Sequence, residues 1–511
     1  MTLSTKRGLL LCACALVAFA VTGVARAALQ VGITEDAGKS GGDAGASFFA
    51  TLNDIGLKVN RVSINWDASN PTTIPDEADI AAWLPQAQAA GTRIVFSVAP
   101  ANAKDLTAAP NRVAQFSAFM TQLATRFPTV KDYVIGNEPN QPRFWQPQYS
   151  QTGTPLAAAQ YLPMLAAGYD ALKAVDPTIT VIGVGLSPRG NDQPFAKSNA
   201  SRSPVRFLHD LGVAYRASKR TKPIMDELAF HPYPQPQQGA PTIHYAWPTA
   251  GLANLDRIKQ AFWDAFNGTA QPTFAEPGNK AAKPLRFDLD EVGWQVAPLP
   301  SLVSMYTGVE TATLKPVTEQ TQADYYSQII RSLECDPSVR MLNFFLLVDE
   351  QNLAYWQSGL ERIDGSHRPS YDSVKQAIAQ TGGNCLGKPV VWRHATGVIL
   401  RTTTWGSLAR QPSKRKSWRF TVSAGEEAAY AAGVFKAGPS KAAIAKRLAG
   451  GRPKPLLTSK GTIEATKKLV AFGVHKLTPG RYVYAIRMSA TMNAKRVSVF
   501  VSRPFVVGKR R

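Results

Sequence analysis

Tyr133-Val134-Ile135-Gly136-Asn137-Glu138-Pro139-Asn140 is a short apolar run that stops on a glutamate. Its strand portion, Tyr133–Asn137, is the fourth of eight such runs. The others are Leu29–Thr34, Val59–Trp66, Arg93–Val98, Thr180–Leu186, Leu228–His231, Arg286–Asp290 and Met341–Leu347. They are nearly continuous rather than alternating in hydrophobicity, the pattern of strands buried on both faces. Helical patterns fill the intervals at Asp76–Ala90, Asn111–Arg126, Leu156–Val175, Leu252–Phe266 and Gln320–Leu333. Asp76 and Asn111 stand where N-caps belong, and Pro177 ends the helix before the fifth run. Eight parallel strands, each followed by a helix, predict an α/β fold: a (β/α)8 TIM barrel over residues 28–386, with long insertions. A doubly wound sheet is the alternative and requires a different strand count.

Outward from the barrel the texture changes. From Gly387 the helical pattern mostly disappears. Short alternating segments at Ser417–Val422, Ala429–Phe435 and Tyr482–Met488 are separated by Gly, Pro and Ser, with Lys441–Leu448 as one short helix. Residues 387–511 therefore predict a small β-sandwich. Charge divides at the same place. Of the chain's 58 Lys+Arg and 36 Asp+Glu, 26 and 3 fall between Leu386 and Arg511, leaving 32 and 33 before it. A near-neutral body thus carries a strongly basic domain, with clusters at Lys414-Arg415-Lys416, Trp418-Arg419 and Lys509-Arg510-Arg511. Such a domain suits an anionic polysaccharide, a cell-wall polymer or a phospholipid surface, and a solvated surface is the plain alternative. No recognised nucleic-acid module is present, which argues against nucleic acid.

At the other end, Lys6 and Arg7 precede an uncharged run from Gly8 to Val24 and the small-residue site Ala25-Arg26-Ala27. This is the pattern of a secretory signal peptide over residues 1–27, and it predicts a secreted protein; an uncleaved anchor is the alternative. Removal takes Cys12 and Cys14 with it. Cys335 and Cys385 then remain, and in an oxidising compartment they are expected to pair; a catalytic thiol is the alternative.

Chemistry in a barrel sits at the C-terminal ends of its strands. Two runs meet that criterion with a glutamate: the fourth at Glu138, and the seventh in Phe287-Asp288-Leu289-Asp290-Glu291-Val292-Gly293-Trp294. Two carboxyls facing each other across a barrel mouth suit glycoside hydrolysis, one to protonate the leaving oxygen and one to attack the anomeric carbon. A lone strand-end glutamate is more often a cap or an ion-pair residue; a pair, each followed by aromatics, points to chemistry. Trp66, Trp145, Trp294 and Trp356 all follow strand candidates, and flat aromatic faces stack on pyranose rings, although each also suits a core.

Asn137-Glu138-Pro139 and Glu291 resemble the clan A retaining glycoside hydrolases, with segments similar to families 5 and 39. The resemblance covers about Leu29–Ala379 and not the basic domain. It implies a (β/α)8 barrel with Glu138 as acid/base, Glu291 as nucleophile and Asn137 as a donor to the sugar 2-hydroxyl. It further implies that Arg61, in Asn60-Arg61-Val62-Ser63-Ile64-Asn65-Trp66, supports the nucleophile, and that His231 and Tyr233 of Phe230-His231-Pro232-Tyr233 line the site. Asp364-Gly365-Ser366-His367-Arg368-Pro369-Ser370-Tyr371 is similar to the segment leading into the last barrel helix. For Arg61 an interior ion pair, for His231 a structural strand-end role and for Tyr233 a half-buried barrel aromatic remain the alternatives.

Other chemistries lack their motifs. Gly32 to Ser40 nearly spells a P-loop but has five residues between its glycines where four are needed. There is no H-E-x-x-H, no EF-hand loop and no G-x-S-x-G elbow, so neither a metal nor another cofactor is expected. The expected protein is a secreted, monomeric retaining glycosidase acting on an oligo- or polysaccharide. A non-catalytic glycan-binding protein on the same barrel is the rival.

Overall fold

A computed structural model describes residues 28–40, 42–275, 283–310, 315–386, 400, 402–405, 417–465, 467–473 and 477–508. Residues 1–27, expected to be a signal peptide, and the Lys414–Lys416 and Lys509–Arg511 clusters lie outside them.

Eight parallel strands close into one barrel in sequence order: β1 (Gln30–Thr34), β2 (Val59–Trp66), β3 (Arg93–Pro100), β4 (Asp132–Ile135), β5 (Thr180–Leu186), β6 (Glu227–Phe230), β7 (Phe287–Val292) and β8 (Val339–Phe344). The joining helices are α1 (Ala46–Ile55), α2 (Glu77–Ala89), α3 (Arg112–Arg126), α4 (Ala157–Val175), α5 (Pro204–Ala217), α6 (Leu255–Phe266) and α7 (Glu319–Leu333), and α8 (Pro369–Thr381) follows β8. One large apolar core lies between strands and helices, while Val59, Val95, Val134, Ile182, Ala229 and Met341 form a second, inner cluster. The two-residue period of a strand then carries β2 from Val59 to Arg61, Ser63 and Asn65 along the inner face, up to the mouth.

The N-terminal strand ends hold a charge network. Arg340 bonds Asp132 at 2.7 Å and Asp288 at 2.8 Å, and Arg286 pairs with Glu227 at 2.7 Å. Burial pushes the Glu227 carboxyl up to about 7. These charges knit strands together at the end of the barrel that reads as stability rather than chemistry.

Two expected caps differ in detail. Asp76 and Asn111 do precede α2 and α3, but neither side chain caps its helix, and Asp76 takes a left-handed φ of 54°. Thr318, before α7, does cap, accepting from the Thr321 N–H. The Cys335–Cys385 disulfide is present and joins the segments that follow α7 and α8.

The C-terminal region is antiparallel: β9 (Thr402–Trp405), β10 (Ser417–Ala424), β11 (Glu427–Lys436), β12 (Leu457–Glu464), β13 (Lys467–Gly473), β14 (Gly480–Ala490), β15 (Val497–Val501) and β16 (Phe505–Val507), with α9 (Lys441–Leu448) after β11. One sheet has the order β13-β10-β9 and the other β12-β11-β14-β15, with β16 also on β14. Alternation puts Phe420 and Val422 of one sheet against Tyr430, Ala432, Tyr484 and Ile486 of the other, a sandwich core. The sandwich is tied to the barrel by charge. Arg206 of α5 meets Glu427 at 2.8 Å, and the buried Arg496 meets Asp264 of α6 at 2.8 Å as well as Glu426.

Candidate active site

The backbone leaves its strand geometry where β4 and β5 end. Gly136 has φ 90°, and a Cβ there would sit 2.9 Å from the Tyr161 ring. Glu138 itself takes a positive φ of 38°, a conformation that costs a non-glycine residue energy and persists where surroundings impose it. Here its N–H bonds the Gly185 carbonyl at 2.8 Å, and Tyr161 links both strands by donating to the Ile135 carbonyl while accepting from the Val184 N–H. Asn140 receives the Ser187 N–H at 3.0 Å, which fastens the loop after β4 to the loop after β5. The backbone of Glu138 is thereby fixed by its neighbours.

Glu291 arrives differently. Strand β7 is buried throughout, and its charged residues survive there because each has a partner. Arg61 donates to Glu291 Oε1 at 2.7 Å, and the Tyr233 hydroxyl donates to Oε2 at 2.9 Å. Arg61 also contacts Asp290 at 3.0 Å and donates to Asn137 Oδ1 at 3.0 Å. That last bond leaves the Asn137 amide nitrogen as the donor available to a ligand. One arginine therefore sets three groups. Burial works against its charge, and Glu291 and Asp290 more than restore it, so the Arg61 pKa lies above its ordinary value. Burial, and then Glu291, push the Tyr233 phenol well above its usual range and keep it a donor.

His231, fully buried, joins the two carboxyls. Its Nδ1 lies 3.1 Å from Glu138 Oε1 and 3.5 Å from Glu291 Oε2, and its Nε2 lies 3.3 Å from Asp290 Oδ1. Burial disfavours the imidazolium, but Glu291 and Asp290 outweigh it and hold the His231 pKa up to about 10. Both ring nitrogens then carry protons. Asp290, buried between two cations, is held below the usual carboxylate range: burial raises it, and His231 and Arg61 override that. The Asp290 contacts with Arg61 and His231 are ion pairs by distance without hydrogen-bond alignment.

Above this floor is a cavity of about 610 Å³, in the usual range for a small-ligand site. It is lined by Asn137, Glu138, Arg61, Tyr233, Glu291 and Trp356, among others. Trp356 stacks on Tyr233 with ring centroids 4.6 Å apart, giving one aromatic wall.

Three tryptophans expected at the sugar are not there. Trp66 is fully buried, packs edge-on against Phe116 and donates to the Pro71 carbonyl. Trp145 is buried against Tyr161, and Trp294 is buried and donates to the Gly239 carbonyl at 2.8 Å, bracing the loop after β6. Trp66, the last residue of β2, alternates with the inward-facing Asn65 and so packs against α3, while Trp145 and Trp294 follow their strands and turn back into the core. His231 is likewise enclosed and touches carboxylates rather than open space, so its place is behind the cleft.

Four charged residues at the mouth escaped the sequence reading. Asp290 was visible only as the neighbour of Glu291; an acid two positions after Asp288 in a buried strand was its one signal. Glu350, Arg143 and Arg189 line the cavity from loops. Burial raises the Glu350 carboxyl against the Trp356 N–H and Arg143, with Glu291 adding to the rise. At the end of β1, Glu35 receives the N–H groups of Asp36, Ala37, Leu347 and Val348 and so ties β1 to the segment after β8.

No protein-family profile matches the sequence, and no curated protein sequence does. Solved structures do match. A family 39 glycoside hydrolase from Bacteroides cellulosilyticus WH2 aligns with TM-score 0.47 and 14% identity, covering 88% of this chain and 81% of that one. GH5_18 from Streptomyces cattleya in complex with Manb1-4GlcNAc aligns with TM-score 0.45 and 16% identity over 71% and 82%. A glucosidase from Croceicoccus marinus aligns with TM-score 0.45 and 12% identity over 88% and 94%.

Proposed function

We propose that this chain is a retaining glycoside hydrolase, with Glu291 as nucleophile and Glu138 as acid/base. The observation that carries the reading is the shared imidazole. The Oε1 of Glu138 and the Oε2 of Glu291 both lie against His231 Nδ1, so they are at most about 6.6 Å apart, the sum of the two contacts. Retaining enzymes keep their carboxyls roughly 5–5.5 Å apart, and inverting ones open to about 6.5–9.5 Å to admit a water. For that pair of oxygens the bound lies below most of the inverting range, which supports the retaining reading.

The roles follow from the partners. Glu291 is aimed by Arg61 and Tyr233, one at each oxygen, which fixes an attacking carboxylate at the anomeric carbon. Glu138, on its rigid turn, gives its proton to the leaving oxygen as the glycosyl–Glu291 ester forms. A water then enters, Glu138 takes its proton, and the ester is cleaved with the original anomeric configuration. Asn137, its oxygen held by Arg61, presents its amide N–H to the 2-hydroxyl, and Trp356 offers a ring face to a pyranose.

The Lys6–Ala27 pattern and the Cys335–Cys385 disulfide both support an exported protein, acting as a monomer outside the cell on an oligo- or polysaccharide. The test is incubation with aryl 2-deoxy-2-fluoroglycosides followed by peptide mass analysis. A stable adduct on the peptide containing Glu291 is expected. Turnover with inverted product and no adduct would overturn retention, and absence of turnover over neutral and acidic glycosides alike would overturn the enzyme reading.

A further inference from the structure

Most charged groups around the cleft are satisfied by a neighbour. Arg61 and His231 are matched by Asp290 and Glu291. Asp36 accepts the Ser63 N–H at 2.8 Å and meets Lys39 at 3.4 Å, and Glu350 accepts the Trp356 N–H at 2.6 Å. Arg143 and Arg189 differ. Both line the same cavity as Glu138 and Glu291, both are exposed, and among the described residues neither guanidinium has a carboxylate within ion-pair distance or a hydrogen-bond acceptor.

Neighbours hold the Arg143 side chain and the Arg189 backbone. The Arg143 guanidinium carbon lies 5.5 Å from the Phe144 ring centroid, over a ring that also lines the cavity. At Arg189 the backbone is fixed, because its carbonyl accepts from the side chains of Asn140 and Gln141, on the loop that carries Glu138. The next residue, Gly190, lies so close to Arg202 that a Cβ would come within 2.2 Å of backbone. Two guanidinium forks with no carboxylate in ion-pair distance, lining the same cavity as the paired carboxyls, suit a planar or tetrahedral anion.

We propose that the glycan cleaved here is acidic, and that Arg143 and Arg189 receive a carboxylate or sulfate borne by a sugar bound in the cleft. The proposal rests on the glycosidase reading for the word cleaved, not for the binding. The basic domain is an independent indication of the same ligand class. Of its three acidic residues, Glu426 and Glu427 are used by Arg496 and Arg206, while Lys436, Lys460, Lys468, Arg481, Lys495 and Arg503 face solvent. A field of that sign concentrates polyanions near the surface.

The experiment is calorimetric titration of the full chain carrying Glu291→Gln, repeated with Glu138→Gln as a second inactive background. The probes are a uronic-acid disaccharide, a sulfated disaccharide and a neutral disaccharide. Expected is a preference of roughly ten-fold or more for an acidic probe, removed by Arg143→Ala with Arg189→Ala. Which acidic probe is preferred distinguishes carboxylate from sulfate. Equal affinity for acidic and neutral probes, no binding of any, or a preference that survives the double variant would overturn the proposal. In wild type, the ratio of kcat/KM for aryl glucuronides over aryl glucosides should fall with the same double variant. Arginine-dependent acidic binding without hydrolysis of any glycoside would remove the glycosidase reading alone; hydrolysis with no acidic preference would remove only this one.

Discussion

At the barrel mouth Arg61 and His231 are buried, and each lies between carboxylates on two sides; on the sandwich, Lys460 and Arg481 are exposed, with no carboxylate within ion-pair distance among the described residues. The difference teaches what charge can do in each setting. Buried ions exist only with partners, and the partners fix direction to fractions of an ångström. Exposed ions are screened within about 10 Å at ordinary salt and carry little geometry, so their effect is a summed field. The first arrangement suits chemistry and the second suits collecting a ligand.

The hardest break of that contrast is at the mouth. Glu291→Ala should lower kcat by roughly 10,000-fold or more, and Glu138→Gln by about 100- to 10,000-fold, read with aryl glycosides. Loss below ten-fold in either would show that the paired carboxyls are not the catalysts. Asp290→Leu comes next, since it leaves Arg61 and His231 short of a counter-charge. Unfolding in urea should show a loss of about 3–5 kcal/mol, whereas a change under 1 kcal/mol would mean the ion pairs are spectators.

Reduction of Cys335–Cys385, which closes a 50-residue separation, should lower stability by about 2–4 kcal/mol with little effect on kcat. Next is pH. The folded His231 pKa, held up to about 10, exceeds the free value of about 6.5, so its ionic contribution is complete below about pH 6.5 and lost as pH rises through about 10. The Tm of wild type should therefore fall more steeply than that of His231→Gln as the pH approaches 10; parallel curves would remove the imidazolium. The smallest effect belongs to the sandwich. Lys460→Glu should change stability by less than about 0.5 kcal/mol, yet lower retention on an anionic polysaccharide at low salt, a difference that vanishes at high salt.

Much of the fold was legible because barrel strands are long apolar runs and parallel burial leaves an unbroken signal: Val59–Trp66 and Thr180–Leu186 were bounded to the residue. Glu138 and Glu291 were legible for a related reason, as acids where those runs stop. The tryptophans show the limit. Trp66, Trp145, Trp294 and Trp356 all stand at or beyond the C-terminal end of a strand, and packing sends one to the cleft and three to the core. Asp290 and the loop residues Arg143, Arg189 and Glu350 were hidden because a partner from another strand or loop, or the want of one, gives each its meaning.

The sequence by itself determined the strand count, the basic domain, the cysteine pair and the two glutamates, since each is a matter of local pattern, composition or elimination along one chain. Tertiary structure alone decided that His231 stands between those glutamates, that Arg61 serves three groups at once and that Arg143 and Arg189 have, among the described residues, no carboxylate within ion-pair distance. Those facts are distances between residues far apart in sequence, set by how eight strands close, and no local pattern encodes them.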